Sequence, residues 1–134
     1  MDKQLALLGL FLGGSAVVLG AFGAHALEAQ LTADALATFD VGIRYQMVHA
    51  LLSLFLALAC AWDAQQILFT GRVRRVLFSL LLAGVLLFSG SIYGLSTNEL
   101  TAFDFTTIAL LTPLGGTLLI GVWVYLFLLV FKKL

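Results

Sequence analysis

Charge is the scarcest commodity in this chain. Asp, Glu, Lys and Arg make up 10% of its 134 residues, against roughly 25% in an ordinary soluble domain, so a water-soluble globule is excluded. One cysteine, Cys60, cannot close an internal disulfide, and no Cys/His spacing resembles a zinc site. There is one proline, Pro113, and there are two histidines, His25 and His49. Phosphate-binding loops, nucleophile elbows and paired intramembrane carboxylates are missing, which argues against familiar enzyme chemistry. No basic surface suited to nucleic acid is present, and no nucleic-acid partner is expected.

What the chain has is apolar length: 62% hydrophobic residues and a mean hydropathy of +1.11. Four runs, residues 5–24, 41–62, 76–95 and 107–131, each reach the roughly 20 residues that a helix needs to cross about 30 Å of hydrocarbon. The expected fold is therefore an all-α membrane protein, a single four-helix transmembrane domain over 1–134. The first run could instead be a secretory signal, because Ala24-His25-Ala26 fits a cleavage site. Its apolar stretch is longer than the roughly 7–15 residues of a signal core, and a first crossing is the expectation.

Charge distribution predicts orientation. Lys3, Arg72, Arg74, Arg75, Lys132 and Lys133 fall on one side with Asp2 and Asp63, a net of +4. Arg44 faces Glu28, Asp34, Asp40, Glu99 and Asp104 on the other, a net of −4. The positive-inside rule puts both termini in the cytoplasm, as in a multi-pass protein of a plasma membrane such as the bacterial inner membrane. The basic stretch Arg72-Val73-Arg74-Arg75 reads as a topology determinant, with fewer cations than the four to eight of a lipid-binding cluster.

Helical phase sorts the remaining residues. Gly9, Gly13, Ala16, Gly20 and Gly23 recur at spacings of 4, 3, 4 and 3. This small-residue stripe suits close helix packing, either inside the bundle or as a dimer seam. His25 lies on nearly the opposite side, unless Gly23 ends the helix and frees the ring. Leu31 to Phe39 reads as a short amphipathic helix on the outer surface with Thr32 as N-cap, or as the start of an unbroken second crossing. In the second run Gly42, Gln46, His49, Ser53, Ala57 and Cys60 share a narrow arc that must face protein. Arg44 sits opposite, one turn from Asp40, placed for an ion pair or for snorkelling. In the third, Ser79, Ala83, Leu86, Gly90, Tyr93 and Thr97 share a face, and Gly90 with Gly94 makes a small-xxx-small pair. In the fourth, Pro113 either kinks the helix by freeing the Ala109 carbonyl or begins it with Thr112 as cap.

Polar residues thus gather toward one end: His25, Gln46, His49, Ser53, Tyr93, Thr112 and Pro113. Such a cluster could bind a small molecule, a lipid or a partner helix. It could also be a hydrogen-bonded lock with no further role. A third reading is a solute or proton-coupled transporter in which His49 titrates, which would require a homo-oligomer. Two histidines could hold a haem axially only if their rings faced across a slot, so no cofactor or metal is expected. Membrane lipids are the expected partners.

The stretches Leu19-Gly-Ala-Phe-Gly-Ala-His-Ala-Leu27, Tyr45-Gln-Met-Val-His-Ala-Leu51, Leu87-Phe-Ser-Gly-Ser-Ile-Tyr93 and Thr112-Pro-Leu-Gly-Gly116 resemble the YgdD/YwdK-type family of small membrane proteins of unknown function, the DUF four-two-three family. The resemblance supplies one motif per helix and spans nearly the whole chain. It implies a four-helix plasma-membrane protein without an established activity. The motif positions it marks are Gly20, Phe22, Gly23, His25, Tyr45, Gln46, His49, Ser89, Gly90, Ser91, Tyr93, Thr112, Pro113, Gly115 and Gly116. The family's Gly-Trp pair in the fourth helix is here interrupted, with Val122 between Gly121 and Trp123.

Overall fold

A computed structural model describes residues 1–63 and 65–132. Lys133, counted above among the bases, lies outside the described residues. Every regular element among the described residues is helical. Helix α1 (Lys3–Phe22) runs into a π-helical turn (Gly23–Leu27), and α2 covers Ala33–Trp62. Helix α3 (Gly71–Val85) passes through a second π-turn (Leu86–Gly90) into α4 (Ser91–Ser96). Two 3₁₀ turns (Asn98–Leu100 and Phe105–Ile108) lead to α5 (Leu111–Phe131). Four of these stretches are long and apolar enough to cross a membrane: Lys3–Leu27, Ala33–Trp62, Gly71–Ser96 and Phe105–Phe131. Four crossings place the start of α1, the end of α2, the start of α3 and the end of α5 at one end of the bundle, called here the basic end.

No separate surface helix precedes α2. Thr32 does act as N-cap, accepting a bond from the Ala35 amide at 3.2 Å, but the helix it starts continues without a break to Trp62. Phe39 is buried against the place a Gly23 side chain would occupy. At the other end Asp2 caps α1 by accepting from the Leu5 amide. Pro113 begins the last helix rather than kinking it. It is the third residue of α5, within the first turn, where its missing N–H has no helical partner to lose. The cap position falls to Leu110, not Thr112, whose hydroxyl is engaged elsewhere.

The glycine stripe of α1 is a contact within the chain. A side chain on Gly9 would run into Leu54 and the Ala50 carbonyl, and Gly13, Gly20 and Gly23 look onto Ala50, Ile43 and Phe39; Ala16 is fully buried. Close approach of the two backbones replaces the hydrophobic drive that lipid cannot supply. The same device joins α3 to α5. A side chain on Gly84 would strike Leu119, and one on Gly115 would strike the backbone of Leu87 and Phe88 in the second π-turn.

The face assigned to the third crossing needs correction. Ser79, Leu86 and Gly90 are exposed, nothing lies within 4 Å of a side chain built on Gly90, and the buried positions are Val73, Leu77, Leu81 and Gly84. Of the glycine pair, only Gly94 packs, against Phe105. A uniform 100° per residue fails here because the π-turn inserts an extra residue and rotates the remainder of the crossing. Ser89 and Tyr93 consequently come round to α2.

The basic end is tied by charge. Arg74 pairs with Asp2 at 3.6 Å and donates to Gln66 at 3.0 Å, so it is more than a topology marker. Of the two roles expected for Arg44, the ion pair with Asp40 is not formed; both residues are exposed, and among the described residues Arg74–Asp2 is the one ion pair within 4.0 Å. The Asp63 carboxylate accepts from the amides of Ile67, Leu68 and Phe69. Those bonds, that to Phe69 foremost, hold its pKa below the usual carboxylate range, and they turn the chain so that Phe69 is buried beneath the bundle.

Candidate functional site

Gln46 is the hub of the polar cluster. It is 5% exposed, and its amide nitrogen donates across to α1, to the Leu12 carbonyl at 2.9 Å and the Ser15 hydroxyl at 2.8 Å. Its carbonyl oxygen accepts from the Tyr93 hydroxyl on α4 at 2.9 Å. Three of the spanning segments therefore meet on one side chain. Gly42, one turn earlier on α2, makes this possible: a side chain there would lie 2.6 Å from the Tyr93 ring. Phe39 covers the outer side of that ring, with centroids 4.9 Å apart.

Serines extend the lock in both directions. Ser53 donates to the Leu5 carbonyl at 2.8 Å, and Ser89 donates to the Gly42 carbonyl at 2.8 Å. Ser91 reaches back to the Leu87 and Phe88 carbonyls of the π-turn, where the regular ladder is disturbed, and exchanges a 2.7 Å bond with Thr112 at the start of α5. Buried hydroxyls thus find partners within the bundle, as a lipid surround demands.

His49 stands apart from the Gln46 hub. It is 3% exposed. Nδ1 lies 2.8 Å from the Tyr45 carbonyl one turn back, so it must carry the proton and donate there. Nε2 is then the acceptor for the Trp123 indole N–H at 3.4 Å, a long bond. This contact joins α2 to α5 across a cleft. On one side of Trp123 a cavity of about 190 Å³ is walled by Tyr45, His49, Phe88, Gly116, Leu119 and Ile120. On the other, a cavity of about 300 Å³ runs between Leu52, Phe55 and Leu56 of α2 and Leu126, Phe127 and Val130 of α5, ending at Phe69.

The sequence grouping is therefore divided. Gln46, Ser53, Tyr93 and Thr112 lie in the internal network, and His49 lines the cleft. Pro113 is exposed at the head of α5, and His25 is exposed in the first π-turn, where it does not reach the others. The π-turn that starts at Gly23 releases the ring from the bundle. Ser15, Ser89, Ser91 and Trp123 were not singled out for these roles. Serines in helices satisfy themselves on their own carbonyls, as Ser15 also does with Phe11, and so carry no distinctive spacing. Trp123 could have been noticed as the one indole within the last apolar run.

The model of a family described as "Protein of unknown function (DUF423)" matches residues 19–116, a range that takes in Gln46, His49, Tyr93 and Thr112 and stops before Trp123. The chain is similar to a UPF0382 membrane protein of Haemophilus influenzae, 39% identical over 93% of this chain and 90% of that protein. It is also similar to the UPF0382 membrane protein YwdK of Bacillus subtilis, 36% identical over 98% of this chain and 99% of the relative. A third relative, the UPF0382 inner membrane protein YgdD of Escherichia coli, is 34% identical over 80% of this chain and 73% of its own length. No solved structure matches.

Proposed function

The chain belongs to the DUF423 family of proteins of unknown function, a multi-pass membrane protein with four apolar helices, and from that premise we propose that it is non-enzymatic and works by holding a lipid chain within the bilayer. The polar cluster is the lock that keeps the helices in place, and the cleft between α2 and α5 is the binding element. The observation that carries this reading is the cleft itself: two apolar cavities meet at Trp123, and one 3.4 Å bond bridges them. At that depth lipid hydrocarbon is the only solvent. The basic end faces the cytoplasm, in keeping with the positive-inside rule.

Transport is the less favoured reading. The glycine stripe that would have formed an oligomer seam faces α2 instead. Between the polar cluster and the basic end the buried side chains are mainly Leu5, Leu8, Leu56, Leu77 and Leu81, which offer a proton no hydrated route.

Mass spectrometry of the intact protein released from a mild detergent tests the proposal. One phospholipid retained per chain is expected, and its loss in Ile120→Phe, which fills the smaller cavity from an exposed position. Wild-type protein that carries no lipid under these conditions overturns the reading.

A further inference from the structure

The basic end of the cleft carries cations that the fold leaves uncommitted. Phe69 lines the larger cavity and stands three residues before Arg72 and six before Arg75; Val130 lines the same cavity and is followed two residues later by Lys132. Arg74 is engaged by Asp2 and Gln66. Arg72, Arg75 and Lys132 are exposed, and among the described residues no carboxylate lies within 4.0 Å of them. Arg75 uses its Nε on the Gly71 carbonyl, which leaves its terminal nitrogens to point elsewhere.

The cleft's length and volume suit a hydrocarbon chain. From Val130 to Gly116 it follows α5 for about 21 Å, somewhat more than the roughly 15 Å of one leaflet's hydrocarbon. Its two cavities, about 300 and 190 Å³, are small beside the roughly 1,600 Å³ of a helix about 10 Å across over that length.

We propose that the cleft is a site for one anionic phospholipid, with an acyl chain lying past Trp123 between α2 and α5 and its phosphate met by Arg72, Arg75 and Lys132. This rests on the reading of the cleft as a lipid-chain site and adds the headgroup class. A zwitterionic lipid brings its own cation to a cluster that already holds three; a lipid with net negative charge does not. The arginine pair then both sets topology and selects lipid.

Trp62→Phe leaves Trp123 as the only indole, and Trp62 is 79% exposed, so the change is tolerated. That variant is reconstituted in phosphatidylcholine vesicles containing a small fraction of brominated phosphatidylglycerol or, separately, brominated phosphatidylcholine. Expected is quenching of Trp123 by the anionic lipid at about tenfold lower mole fraction than by the neutral one, relieved by excess unbrominated phosphatidylglycerol. Arg72→Gln/Arg75→Gln should remove the preference, and Ile120→Phe should remove it with every cation in place. Equal quenching by the two lipids overturns the anionic selectivity while leaving a lipid chain in the cleft. Absence of quenching by either overturns both, as it would if a second copy covered the cleft. A preference that survives in the arginine variant overturns the headgroup placement, and competition by the unbrominated lipids decides the matter even if that variant fails to insert.

Discussion

Replacing Gln46 by Leu tests the hydrogen-bonded lock, because the two side chains are similar in size and the change removes polarity with little change in volume. Three bonds vanish: to the Leu12 carbonyl, to the Ser15 hydroxyl and from the Tyr93 hydroxyl. Interhelical bonds in membranes average about 0.6 kcal/mol each, with a ceiling near 1.7, so the expected loss is about 2 kcal/mol. Leu12 keeps its helical bond, and Ser15 keeps Phe11 and Leu12 as partners, so Tyr93 alone is stranded. Tyr93→Phe should therefore cost about 0.6 kcal/mol by itself and almost nothing in the Gln46→Leu background. Unfolding by dodecyl sulfate in mixed micelles, followed by circular dichroism, measures all three variants. A loss below about 0.5 kcal/mol for Gln46→Leu, or full additivity of the pair, would refute the network.

Three further outcomes are expected. Gly115→Ala should destabilise by about 1–3 kcal/mol, because the new methyl meets the Leu87–Phe88 backbone, whereas Gly121→Ala, with nothing within 4 Å, should change stability by less than about 1 kcal/mol; thermal melts in detergent compare them. Asp63→Asn should flatten the acid limb of stability. The native carboxylate titrates below its usual range, so its contribution is fully present at neutral pH and is lost as pH falls below about 4 through the native value; unfolding midpoints measured from neutral to acidic pH show whether the wild type alone has that dependence. Trp123→Phe should leave the fold intact, with a loss of about 0.6 kcal/mol, and should lower lipid retention by opening the bridge to His49, as intact-protein mass spectrometry can read out.

The crossings were legible because apolar length is a requirement of the bilayer and leaves few alternatives. The buried face of α2 was legible for a similar reason: Gly42, Gln46, His49, Ser53 and Ala57 keep strict helical phase, and all are buried. Phase failed in the third crossing, where the π-turn at Leu86–Gly90 shifts the register and nothing in the local residue types announces it. At His25 phase left two outcomes open, and the structure takes the one in which the regular helix ends at Gly23 and the ring is exposed. The pairing of Arg74 with Asp2 joins residues far apart in sequence, and its bond to Gln66 spans the connection ahead of α3; neither follows any periodicity. Trp123 was obscured differently. Its partner, His49, had been grouped with Gln46 by phase, yet α2 serves the network with Gln46 and, three residues later, the cleft with His49.

The most direct test of the cleft is a density map of the protein in nanodiscs containing phosphatidylglycerol. A tube of density passing Trp123 from Phe69 toward Tyr45 and Phe88, with a headgroup at Arg72 and Arg75, is the expected result. A cleft closed by direct α2–α5 contact, or covered by a helix of a second copy, would contradict it.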